Sequence, residues 1–144
     1  MNLSDHFTLE ELTASDTAAR RGIDNTPDAG QVEKLRYLAA GLEMVRELVG
    51  PLHVNSGYRC PELNAAVGSK PSSQHLKCEA ADVTCLNGTT PVAMCEAVAN
   101  SDIPFDQIIL EFNSWMHISF VSDREPRGSV LTINKSGTYT GLVV

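Results

Sequence analysis

No apolar run in this 144-residue chain reaches the ~18 residues that a membrane span needs, so no transmembrane helix is expected. The opening "MNLSDHFTLEEL" has neither the basic nor the apolar block of a signal peptide, which makes a protein kept in the cytoplasm as synthesised the expectation. Basic residues are in short supply: 11 Lys and Arg stand against 18 Asp and Glu, for a formal charge of -7 and a pI near 4.9. A nucleic-acid binder normally carries a basic footprint, so that class is set aside. Cysteine is sparse as well. Cys60, Cys78, Cys85 and Cys95 form no CxxC pair, and without a secretion signal they are expected to remain thiols. A disulfide scaffold is not required either, because a chain of this length buries roughly two thirds of its unfolded surface. Repeats, low-complexity tracts and long linkers are missing, which leaves one compact domain over 1–144, expected to act as a monomer.

What is present reads as helices first and strands later. "TLEE" at Thr8 to Glu11 has the form of a capping box and predicts a short helix, with Gly22 as the stop of a second. Val32, Leu35, Leu38, Leu42, Val45 and Val49 recur at spacings of three and four between Pro27 and Gly50, the pattern of an amphipathic helix on a core. "LHVNS" and "AADVT" read as strands, "PELNAAVG" as a short helix begun by Pro61, and 91–99 as a helix. "FDQIILEF", "WMHISFV", "SVLTINK" and "TYTGLVV" alternate in strand fashion, so the predicted class is α+β with N-terminal helices on a mostly antiparallel sheet.

Chemistry concentrates in "SSQHLKCEAADV". On the strand that ends this stretch, Asp82 shares a face with Ala80 and Thr84, and a carboxylate in a sheet is costly to bury unless it is paired or binds a metal. Two readings stand for it: capped by backbone amides and Thr84, or a ligand. In "WMHISF" the alternation places Met116, Ile118 and Phe120 on one face and Trp115, His117 and Ser119 on the other, so His117 points away from the apolar set. His75, Asp82 and His117 together are two imidazoles and a carboxylate, the ligand set of a catalytic zinc that keeps a fourth position for water. His6 and His53 are read as structural. A hairpin pairing Phe112 with Met116 makes every core-face pair apolar and sets Glu111 opposite His117, about 5 Å away at Cβ. That register needs a three-residue connection and makes Glu111 the general base, the other reading being a glutamate exposed at a strand end. Asp106 is the fallback acid, expected to be solvated.

The stretch "SGYRCPELNAAVGSKPSSQHLKCEAAD" resembles the conserved block of the D-alanyl-D-alanine carboxypeptidase and murein endopeptidase family of zinc peptidases, in which S-x-H is followed after six residues by D. Ser73, His75 and Asp82 match that motif, and "WMHIS" resembles the downstream W-x-H element that supplies His117 as third ligand. "HFTLEELTASDTAARRGIDNTP" is similar to the single-domain, often phage-encoded branch, so the likeness spans most of 6–121. The resemblance implies the Hedgehog-like α+β fold, Zn2+ as cofactor and the peptide part of peptidoglycan as substrate. It implies further that Arg59 steadies the oxyanion or the substrate carboxylate, a role suited to its fixed fork of donors, and that Ser73 orients His75. Tyr58 and Trp115 either shape the cleft or simply pack.

Two positions depart from the family pattern. Cys78 stands where relatives commonly carry glycine, which would strain the backbone if φ is positive there. It is read as an inert small residue rather than a thiolate near the metal. Many relatives carry an acid three residues before the last histidine, where this chain has Ser114, so Glu111 as base rests on the register argument. The expected mechanism is attack of zinc-activated water on a peptide carbonyl, with Glu111 as base then acid and Arg59 at the oxyanion. Two other classes stay open: an inactive, zinc-stabilised domain that binds wall peptide, and a signalling zinc domain like Hedgehog's. Without a signal peptide, the expected route to the wall is phage lysis or a place in the virion.

Overall fold

The computed structural model of the protein describes residues 1–143. Helix α1 (Leu9–Thr13) begins with the capping box: the Thr8 hydroxyl accepts the Glu11 N–H at 3.1 Å, and the Glu11 carboxylate accepts the Thr8 N–H at 3.1 Å. Helix α2 (Asp16–Arg21) is capped by Ser15 and ends at Gly22, whose φ of +65° suits the left-handed stop. A second capping box, Asp28 with Gln31, opens the long helix α3 (Ala29–Val49). Its stripe of Leu35, Leu38, Leu42 and Val45 is fully buried, with Val32 and Val49 at the margins. Each fully buried aliphatic side chain there contributes roughly 1.5 to 3 kcal/mol.

Strands β1 (Leu52–Ser56), β2 (Ala80–Cys85), β3 (Gln107–Glu111), β4 (Trp115–Ser119), β5 (Ser129–Asn134) and β6 (Gly137–Thr140) form one sheet in the order β1-β2-β4-β3-β5-β6. Every neighbouring pair is antiparallel except β3 with β5. Helices α4 (Pro61–Ala66) and α5 (Pro91–Ala99) complete the α+β fold. Val54, Ala81, Val83, Ile108, Leu110, Met116 and Ile118 share one face of the sheet and form the core with α3 and α5. Asp82, Glu111 and His117 alternate with them and therefore lie on the opposite face.

The β3–β4 hairpin corrects the expected register. Glu111 pairs with Trp115, Leu110 with Met116, Ile109 with His117 and Ile108 with Ile118, so Phe112 does not face Met116 and Glu111 is not directly opposite His117. The connection still has three residues, but they are Phe112 to Ser114. Phe112 and Asn113 both take φ of +52°, and the Ser114 N–H closes the turn on the Glu111 carbonyl at 2.9 Å. Apolar matching could not detect the difference, because a slip of two residues leaves every side chain on its own face.

Candidate active site

Asp82 and His117 are direct cross-strand partners on β2 and β4. His75 comes from outside the sheet, on the turn-rich stretch that leads into β2, and is only 2% exposed. Asp82 Oδ1 lies 3.2 Å from His75 Nε2 and 3.1 Å from His117 Nδ1. The two imidazole rings meet at 69° with centroids 5.0 Å apart, and one donor atom from each of the three residues falls within 4.8 Å of the others. Of the two readings of Asp82, capping by Thr84 is not what occurs: among the described residues its side-chain hydrogen bonds run to the two imidazoles. Burial works against its charged form, yet the hydrogen bonds from His117 and His75 outweigh that and hold the carboxyl well below the usual range.

The donor set fits zinc. Bonds of about 2.0 to 2.2 Å in a tetrahedron put neighbouring ligand atoms about 3.3 to 3.6 Å apart, a few tenths of an ångström beyond the separations of 3.1 and 3.2 Å seen around Asp82 Oδ1. The second ring nitrogen of His75, Nδ1, donates to the Gly57 carbonyl at 2.7 Å, which fixes the ring so that Nε2 is the nitrogen turned toward the carboxylate. Gly57 was not foreseen from the sequence. Its carbonyl reaches His75 because the chain runs against α1, where the Tyr58 N–H donates to the Leu12 carbonyl at 2.7 Å and a side chain at Gly57 would collide with that same oxygen. Ser73 holds the backbone of His75 rather than its ring, its hydroxyl accepting the His75 N–H at 3.2 Å.

Glu111 and Arg59 border this cluster. Burial raises the carboxyl of Glu111 and the charge of Asp82 raises it further, while His117, the Trp115 indole N–H and Arg59 favour its charged form. Trp115, directly across the hairpin, is near enough for that effect, yet its Nε1 is buried and completes no hydrogen bond among the described residues. The Arg59 guanidinium is lowered by burial and supported by the charges of Asp82 and Glu111, and its Nε is likewise buried without a partner among the described residues. Arg59 also lines a groove of about 290 Å³ with Asp16, Thr17, Asn55 and Ser56. The larger hollow of about 470 Å³ beside Met44, Leu48 and Ile103 includes none of the clustered residues.

The remaining candidates lie elsewhere. Asp106 is not solvated: its side chain is fully enclosed and paired with Arg124 at 2.7 Å and Arg127 at 2.8 Å. His6 pairs with Glu43 at 2.7 Å, and His53 is exposed on β1. Tyr58 is buried and accepts from Gln31 at 3.4 Å, a packing role. Cys78 has φ of +61° and joins the core, where burial pushes its thiol up to about 11; it is not a thiolate, and all four cysteines are free.

A family model described as peptidase M15 matches residues 5–119, about four fifths of the chain and inclusive of His75, Asp82, Glu111 and His117. The chain belongs to the peptidase M15 family. This is a family of zinc peptidases of the D-alanyl-D-alanine carboxypeptidase type, and the clustered histidines and aspartate are where such a chain has donors for a metal. A comparison with curated proteins gave no match. No helix among the described residues is long and apolar enough to cross a membrane.

Proposed function

We propose that this M15 family member is a zinc-dependent peptidase that hydrolyses peptide bonds in the peptide part of bacterial peptidoglycan, as a D,D-carboxypeptidase or an endopeptidase. One domain, 1–144, working as a monomer, carries the activity. The observation behind the reading is the convergence of His75 Nε2, Asp82 Oδ1 and His117 Nδ1 on one buried point, with a carboxylate and a guanidinium at its border. His75, Asp82 and His117 are the zinc ligands. Zinc held there supplies a Lewis acid that polarises the scissile carbonyl and lowers the pKa of water toward neutrality. Glu111 takes the proton of the attacking water and passes it to the leaving amine, for which a half-buried carboxyl with a raised pKa is suited. Arg59, with an unpartnered Nε, offers donors to the developing oxyanion.

The test combines bound-zinc measurement with incubation on purified peptidoglycan, following released amino groups and fragment masses with and without a chelator. Chelator-sensitive release identifies the peptidase, and the masses name the bond. Glu111→Gln is expected to lower turnover by about 10² to 10⁴-fold while zinc content stays unchanged. Stoichiometric zinc with no release from any wall type would instead favour an inactive domain that binds wall peptide.

A further inference from the structure

Asp106 is 0% exposed, carries a charge and has no place in the chemistry proposed above. Its carboxylate nevertheless accepts from Arg124 Nη1 and Nη2 at 2.7 and 3.0 Å, from the Arg127 backbone N–H at 3.0 Å and Nη2 at 2.8 Å, and from Gln74 Nε2 at 3.0 Å. The two arginines are about half exposed, 45% and 50%, so they close over the carboxylate from the solvent side. Gln74 is the contact on the inner side, and it is the residue immediately before His75.

Gln74 is held at both ends. Its side-chain amide also donates to Glu79 at 3.1 Å, and its backbone carbonyl accepts the N–H groups of Lys77 and Glu79, each at 3.1 Å. Asp106 in turn donates its own N–H to the Ser119 carbonyl at 2.8 Å, two residues beyond His117 on β4. One buried residue thus ties the segment bearing His75, through its carboxylate, to the strand bearing His117, through its backbone N–H. Its arginine partners, Arg124 and Arg127, lie beyond residue 119, where the family match ends.

We infer that Asp106, locked by Arg124 and Arg127, is a positioning residue that acts through Gln74 to hold the turn of residues 73–79 so that His75 Nε2 faces Asp82 and His117. The inference rests on the proposed zinc centre, where partners behind the ligands set affinity by orienting them. It makes the stretch that follows the matched region part of the working site.

Asp106→Asn strands two arginines and risks misfolding, so the decisive variant is Gln74→Met, which leaves the Asp106–arginine pairs intact. Amide hydrogen exchange of the full chain without metal is read first. Gln74→Met is expected to speed exchange across 73–79 by about tenfold while the sheet keeps its protection. Zinc affinity by chelator competition is expected to fall by about tenfold. Arg124→Ala is expected to weaken zinc in the parent but to add nothing in the Gln74→Met background, because the link is already cut. Unchanged exchange and zinc affinity within twofold in Gln74→Met overturn the inference, as does an equal effect of Arg124→Ala in both backgrounds. If the parent binds no zinc, the proposed function fails, and the exchange experiment alone then decides the positioning role.

Discussion

Replacing Cys78 by alanine and by glycine should reverse the usual order of stability. Residues 74–79 close as a Schellman motif: the Glu79 N–H reaches the Gln74 carbonyl at 3.1 Å, the Cys78 N–H faces that of His75 at 3.5 Å, and Cys78 holds the left-handed position with φ of +61°. A side chain there costs about 1 to 2 kcal/mol in any residue with a Cβ. Glycine removes that cost and loses about 0.5 to 1 kcal/mol to the greater freedom of the unfolded chain. The balance favours Cys78→Gly over Cys78→Ala by about 0.5 to 1 kcal/mol. Against the parent, both lose the packing of a thiol only 1% exposed, worth about 1 kcal/mol, so alanine is destabilising and glycine close to neutral. Urea unfolding with a chelator, to remove any contribution from bound metal, measures this directly. With a slope of about 2 kcal/mol per molar, the glycine variant should unfold about 0.3 to 0.5 M later than the alanine variant. An alanine variant as stable as the glycine variant, or more so, would refute the assignment of strain to Cys78.

Gly57→Ala drives a methyl group into the Leu12 carbonyl, which is backbone and cannot swing aside; a loss of about 1 to 3 kcal/mol is expected, together with weaker zinc binding as the Gly57 carbonyl leaves His75. Unaltered melting and zinc affinity would count against this contact. Asp82→Asn removes the charge between the two imidazoles and should weaken zinc by more than the ~10 to 100-fold typical of an outer partner; chelator competition within tenfold of the parent would remove Asp82 from the ligands. Asp106 has its folded pKa held far below the unfolded value of about 3.9: burial opposes the charge, and the bonds from Arg124 and Arg127 more than offset it. The stability it contributes is therefore present above about pH 4 and lost as the pH falls below that. Asp106→Asn should cost about 3 kcal/mol or more at pH 7, with the gap to the parent narrowing toward pH 3; equal gaps at both pH values in urea unfolding would contradict the sign.

Local physics was legible in the chain. The capping box at Thr8 and Glu11, the stop at Gly22 and the apolar spacing from Val32 to Val49 each depend on residues within a turn or two, so the helices can be read without knowing what they touch. The donor types of His75, Asp82 and His117 are likewise written in the sequence, as is the parity that puts His117 and Glu111 on the face away from the core. That parity explains why Glu111 still borders the cluster although the hairpin register differs by two residues from the apolar match: side chains in a strand repeat every two positions. Asp106 shows the limit, since two arginines some twenty residues later enclose a carboxylate that looks solvated in its own stretch. The Gly57 carbonyl behind His75 shows it again, because a backbone acceptor carries no side-chain signature. Sequence alone determined which groups exist, where helices begin and end, and which face each strand residue takes, for these follow from covalent order and short-range sterics. Only the tertiary structure decided which carboxylate meets two imidazoles and which meets two arginines, because pairing across long loops is settled by the packing of the whole chain.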